Sequence, residues 1–215
     1  MKRHSHLQIV AQNHFREHSS LYAFVIVLFL MGVIFGAVIV NSLSFTQKED
    51  LFYYLSHFFT QVAEGKISSS YDMFIQSVMH NIKYTGIIWI LGVSIIGLPI
   101  ILILLFLKGM VVGFTVGFLV NQMGWDGFGM AFVSILPQNI IIVPVFIFIT
   151  TLSLALSIKM IRRVFLKQIR EPLKPVIFKY VFSFVLCMLF LVGAGAIEAY
   201  FSPVVMKTIM SILNS

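Results

Sequence analysis

One stretch limits this chain more than any other. From 84 to 120 a single charge, Lys108, interrupts 37 residues of otherwise uncharged and mostly apolar sequence. At about 1.5 Å per residue, a helix of that length is far longer than a bilayer core of roughly 30 Å. The segment must therefore fold back. Lys108-Gly109 reads as the turn, which gives spans near 85–107 and 110–124, the second of them short. Three more apolar blocks complete the pattern. Residues 21–40 are too long for most signal-peptide cores and lack a cleavage pattern, so they read as a retained span. Residues 128–158 again exceed one crossing and contain Pro137, Gln138, Asn139 and Pro144. That combination predicts a fourth span near 138–158, with a broken helix at Pro137–Pro144, preceded by a re-entrant segment near 128–136. The fifth span is 180–201.

The expected fold is therefore all-α: a polytopic integral membrane protein with five transmembrane helices, built as a single membrane domain over 1–215. Hydrophobic residues make up 59% of the chain and charged residues 11%. A soluble domain of this size has too little interior to hide that much apolar surface. The single cysteine, Cys187, excludes a disulfide framework or a Cys/His metal cluster within the chain.

Orientation follows from the basic residues. With the N-terminus inside, Lys2, Arg3, Arg16, Lys108, Lys159, Arg162, Arg163, Lys167, Arg170, Lys174 and Lys179 fall on the cytoplasmic side. Only Lys48, Lys66, Lys83 and Lys207 fall outside. This bias predicts an N-in, C-out layout, with 159–179 as a cytoplasmic basic loop. It leaves 41–83 as the one sizeable outer loop. There Thr46 with Glu49, and Ser69 with Asp72, have capping-box spacing. Leu51, Leu55, Phe58, Phe59 and Val62 share one helical face behind the first box. These are outer-surface amphipathic helices, packed on the bundle or forming a docking face for an outer partner. Residues 158–171 are amphipathic too, and Ser202-Pro203 opens an amphipathic C-terminal segment.

Within the spans, Gly32 and Gly36, and then Gly109, Gly113 and Gly117, recur at the four-residue spacing that lets helices approach closely. The neighbour could lie in the same chain or in a homo-oligomer. Glu198 is the one acid inside an apolar run, at the outer end of the last span. It reads either as a solvated helix-end acid or as a buried acid holding polar groups such as Asn81, Gln138 or Asn139. The six histidines, His4, His6, His14, His18, His57 and His80, do not form a site. No hydrolase, zinc-protease or nucleotide-loop signature is present, so no enzyme activity, cofactor, metal or nucleic-acid partner is expected.

Several runs carry a resemblance. They are His14-Phe15-Arg16-Glu17-His18-Ser19-Ser20, Gly36-Ala37-Val38-Ile39-Val40-Asn41-Ser42-Leu43, and Gly109-Met110-Val111-Val112-Gly113-Phe114-Thr115-Val116-Gly117-Phe118. With them stand Leu136-Pro137-Gln138-Asn139 and Glu198-Ala199-Tyr200-Phe201-Ser202-Pro203. Over essentially its whole length the chain resembles the stage II sporulation protein M family of endospore-forming bacteria. That family commonly shows Leu-Pro-His-Gly with a Glu five residues after the Pro, and Ile-Glu-Ala-aromatic near the end. This chain has Gln138, Asn139 and Ile142 at the first set of positions, and keeps Ile197-Glu198-Ala199-Tyr200. The resemblance implies a non-catalytic membrane scaffold of the engulfment machinery. It would sit in the lipid bilayer of the cytoplasmic membrane, on the mother-cell engulfing side, and localise the peptidoglycan hydrolases stage II sporulation proteins D and P. The other reading is a small transporter or channel subunit using the Pro137–Pro144 region and Glu198.

Overall fold

The computed structural model describes residues 18–63, 70–166, 173–201 and 204. Every described element is helical: α1 (Ser19–Ser42), α2 (Phe45–Ala63), α3 (Ser70–Gly92), α4 (Gly97–Ser134), α5 (Leu136–Leu166) and α6 (Leu173–Ala196). The last continues into a π-helical turn over Ile197–Phe201. Among the described residues, four helices are long and apolar enough to cross a membrane: Ser19–Ser42, Gly97–Val133, Leu136–Val164 and Ile177–Tyr200. α3 is 23 residues long but carries Asp72, His80 and Lys83 in its first two thirds.

The turn expected at Lys108-Gly109 lies elsewhere. The chain reverses at 93–96, and Lys108 stands inside α4. The spans 85–107 and 110–124 are thereby replaced by α3 and by one full-length helix that runs from Gly97 to a break at Gly124. The physical reason is in the residues around the turn. Gly92, Gly97 and Pro99 bracket Val93-Ser94-Ile95-Ile96, and a Cβ on Gly97 would lie 2.6 Å from the carbonyl carbon of Leu91, too close for any side chain. A half-buried lysine side chain, by contrast, does not stop a helix, because its stem is apolar.

Gly124 has φ 59° and ψ −130°, a backbone region only glycine enters readily. There the chain doubles back, so that Gly127 packs against Leu119 and Met123. The residues expected to dip into the membrane, 128–136, form the helical segment after this reversal and the junction at Ile135. The helix break expected at Pro137–Pro144 is also displaced. It falls at Ile135, and α5 runs from Leu136 through Pro144 without interruption. Pro137 lies in the first turn, where a missing N–H costs no intrahelical bond.

α1 and α4 run parallel and pack through their glycines. A Cβ added at Gly32 or Gly36 would overlap the Phe106 or Met110 carbonyl oxygen. One at Gly109 or Gly113 would overlap the Phe29 or Val33 carbonyl oxygen, and one at Gly117 would sit 2.9 Å from Ala37 Cα. The glycine spacing thus describes an intrachain contact. α3 and α5 run the other way. At the 93–96 end, Tyr180 OH donates to Trp89 O at 2.7 Å and lies 2.8 Å from Ser153 Oγ. Trp89 stacks on Tyr180 and Phe184, and Ser157 Oγ donates to Ser94 O. Val25, Ile88, Ile101, Leu105, Phe146, Ile149 and Leu191 form the dry core between the helices.

α2 makes no substantial contact with the other described helices. Its cap lies two residues before the expected Thr46–Glu49 box. Ser44 N–H donates to Gln47 Oε1 at 3.0 Å and Gln47 N–H donates to Ser44 Oγ at 3.3 Å. Glutamine serves here in the role expected of Glu49. Leu51 is exposed and Leu55 half-buried. The side chains of Phe58, Phe59 and Val62, the Ser69 cap, the N-terminal arm, the end of the 158–171 segment and the helix expected after Ser202-Pro203 lie outside the described residues.

Candidate functional site

The chemistry gathers in a cavity of about 480 Å³ between α3, α4, α5 and the π turn. It extends from the middle of the bundle to the end opposite the 93–96 turn. Its polar walls are Gln76, Ser77, His80 and Asn81 from α3, Lys108 and Thr115 from α4, Gln138 and Asn139 from α5, and Glu198 from the π turn.

Each of these arrives by a local rule. Ser77 and Asn81 are one helical turn apart, so they share a face. Asn81 Nδ2 donates to Ser77 O at 3.1 Å. Ser77 Oγ donates to the Glu198 carboxylate, tying α3 to the last turn. The wider π turn changes the register of α6 where Glu198 projects, and π segments often mark functional positions. On α5, the Asn139 side-chain amide donates to Ile135 O at 2.8 Å, supplying a donor where the backbone breaks. Asn139 thus serves the junction, while Gln138 faces the cavity.

Lys108 is eleven residues into α4, or about 16 Å along the helix axis, near the middle of a bilayer-spanning length. Its Nζ lies 5.7 Å from the Tyr84 ring centre and 5.4 Å from that of Phe146. These rings offer their faces to a cation that would be costly in hydrocarbon. Tyr84 is held by its own hydroxyl, which donates to Leu104 O at 2.7 Å. Lys108 and Glu198 line the same cavity from different elements. Two amide oxygens, Asn81 Oδ1 and Gln138 Oε1, are buried without a hydrogen-bond partner among the described residues.

Glu198 therefore takes the second of the two readings the sequence left open, a half-buried acid with a partner on another helix. Asn81, Gln138 and Asn139 all line the same cavity, though Ser77 makes the direct bond. Sequence reasoning missed Ser77 and, above all, Lys108, which was spent on a turn. The Gly92, Gly97 and Pro99 cluster was the signal that could have freed it.

The family model for stage II sporulation protein M matches residues 25–203. The chain belongs to the stage II sporulation protein M family. Searches of curated proteins and of solved structures gave no match. Two of the stretches set against the family pattern, 136–142 and 197–200, meet in space. Gln138, Asn139 and Ile142 from the first, and Glu198 from the second, line one cavity. Family membership and the long apolar helices make this a sporulation-related membrane protein.

Proposed function

We propose that the protein is a non-catalytic membrane scaffold that recruits and localises peptidoglycan hydrolases, stage II sporulation proteins D and P, during engulfment. In this reading all five bundle helices cross the membrane, with the N-terminus in the cytoplasm and α2 on the wall side. The observation that carries it is α2. This capped helix stands off the bundle and leaves Phe45, Tyr53 and Tyr54 at 76%, 67% and 73% exposure. Tyr53 and Tyr54 pack edge to face, making one aromatic patch. Aromatic side chains of this kind anchor protein interfaces.

The test is a photo-crosslinking residue at position 53 or 54 in sporulating cells. Adducts with either hydrolase support the scaffold. The same residue at position 103, on a lipid-facing side of α4, should give none. Capture of hydrolase at 103 and not at 53 or 54 would refute docking through α2.

The cavity favours a second reading, a small transporter or channel subunit. Against conduction stands the packing beyond Lys108 toward the 93–96 turn. Ile88, Ile101, Leu105, Phe146 and Ile149 are all fully buried there, closing the bundle with hydrocarbon. Ion or solute flux in reconstituted vesicles would restore the transporter.

A further inference from the structure

We propose that the cavity binds a small zwitterion, a molecule of amino-acid to short-peptide size with an anionic group at one end and a protonated amine at the other. Its volume of about 480 Å³ lies within the usual range for ligand pockets, roughly 300–1,000 Å³. Its two ionisable side chains, one basic and one acidic, come from different elements. Lys108 is on α4 and Glu198 on the π turn. Along the bundle axis they differ in depth. Lys108 lies about 16 Å from the 93–96 turn, and Ser77, which holds Glu198, lies about 22 Å from it. The two residues thus stand at different depths along the bundle, so one ligand can present its two ends to them.

Two polar atoms on the cavity wall lack hydrogen-bond partners among the described residues. Asn81 is only 3% exposed, and its Oδ1 has no partner. Gln138 Oε1 is likewise buried and unpartnered, and both residues line the cavity. Buried acceptors without donors are costly. A simple anion would answer Lys108 and be repelled by Glu198. A simple cation would answer Glu198 and be repelled by Lys108. A molecule with both groups answers both, and its N–H groups can serve the two amide oxygens. The proposal is independent of hydrolase recruitment, which rests on α2, and it requires no passage through the closed core.

Two sources share this chemistry: a free amino acid or peptide, and the headgroup of phosphatidylethanolamine. The experiment uses the full chain in nanodiscs of phosphatidylglycerol alone. Calorimetric titration with alanyl-alanine should saturate. N-acetyl-alanyl-alanine, which lacks the cation, and alanyl-alanine amide, which lacks the anion, should each bind at least tenfold more weakly. Lys108→Met and Glu198→Gln, checked for retained helicity, should lose at least tenfold in affinity for the dipeptide. In a second arm, discs contain phosphatidylethanolamine. Competition with the dipeptide, together with retention of that lipid by wild type and not by Lys108→Met, would assign the site to the headgroup. Equal binding of the capped and uncapped dipeptides would overturn the proposal. So would the absence of both saturable dipeptide binding and selective retention of phosphatidylethanolamine. Because the analogue series is run on wild-type protein, it decides the matter even where a variant fails to fold.

Discussion

Gly113→Ala is the smallest change that should pull the bundle apart. A Cβ built on Gly113 falls 2.6 Å from Val33 C and 2.8 Å from Val33 Cα, whereas ordinary contacts run 3.4–4 Å. The atoms it meets are backbone on α1, so no rotamer change can make room. α1 and α4 must separate locally by roughly 1 Å, and overpacking of this kind costs about 1–3 kcal/mol. Separation would also loosen the neighbouring contacts at Gly109 and Gly117, which belong to the same parallel seam. For a chain of this size each kcal/mol corresponds to about 2–4 °C in melting temperature. The assay is thermal unfolding of purified protein in one detergent, followed by intrinsic fluorescence. Gly113→Ala should melt several degrees below wild type, and Gly113→Leu lower still. Gly86→Ala is the control, since an added Cβ there meets nothing within 4 Å. It should be neutral or gain up to about 1 kcal/mol from helix propensity. If Gly113→Ala melts with Gly86→Ala, at or above wild type, the tight α1–α4 seam is wrong.

Three further outcomes are expected. Glu198→Gln keeps an acceptor for the Ser77 hydroxyl and should melt near wild type, whereas Glu198→Leu leaves that hydroxyl unpartnered and should lose about 1–3 kcal/mol; equal melting of the two would sink the Ser77 contact. Tyr180→Phe removes the donor to Trp89 O and the partner of Ser153 Oγ, so it should cost about 1–2 kcal/mol in the same thermal assay, and an unchanged melting temperature would show that this end of the bundle is not held by the hydroxyl. Cysteines replacing the exposed Glu49 and Trp125 should react with an impermeant thiol reagent in intact protoplasts, while one replacing Ile96, 75% exposed at the 93–96 turn, should react only after lysis. Labelling at position 96 in intact protoplasts would invert or break the proposed five-span layout.

What the chain's apolar runs settle by themselves is class. Stretches such as 19–42 are apolar on every side. Val25 and Phe29 turn inward while Phe24, Val27 and Ile34 remain exposed. A lipid-facing side chain and a core side chain look alike in sequence, so hydropathy reveals that a helix is in the membrane without saying which way it faces. The four-residue glycine spacing was legible because close backbone approach demands a missing Cβ, whatever the partner. That the partner is α1 against α4 within one chain required the coordinates, since spacing carries no address. The position of the first turn was misread for a related reason. A charge in an apolar run suggests solvent, yet Lys108 stands inside α4, with its Nζ over the rings of Tyr84 and Phe146 and its side chain on a cavity shared with Glu198. That cavity is assembled from residues as far apart in sequence as Ser77 and Glu198. Their pairing depends on the handed packing of α3 against α6 and on the π turn that re-aims the carboxylate. No local pattern encodes it, because each helix supplies one polar face and only tertiary packing decides which faces meet.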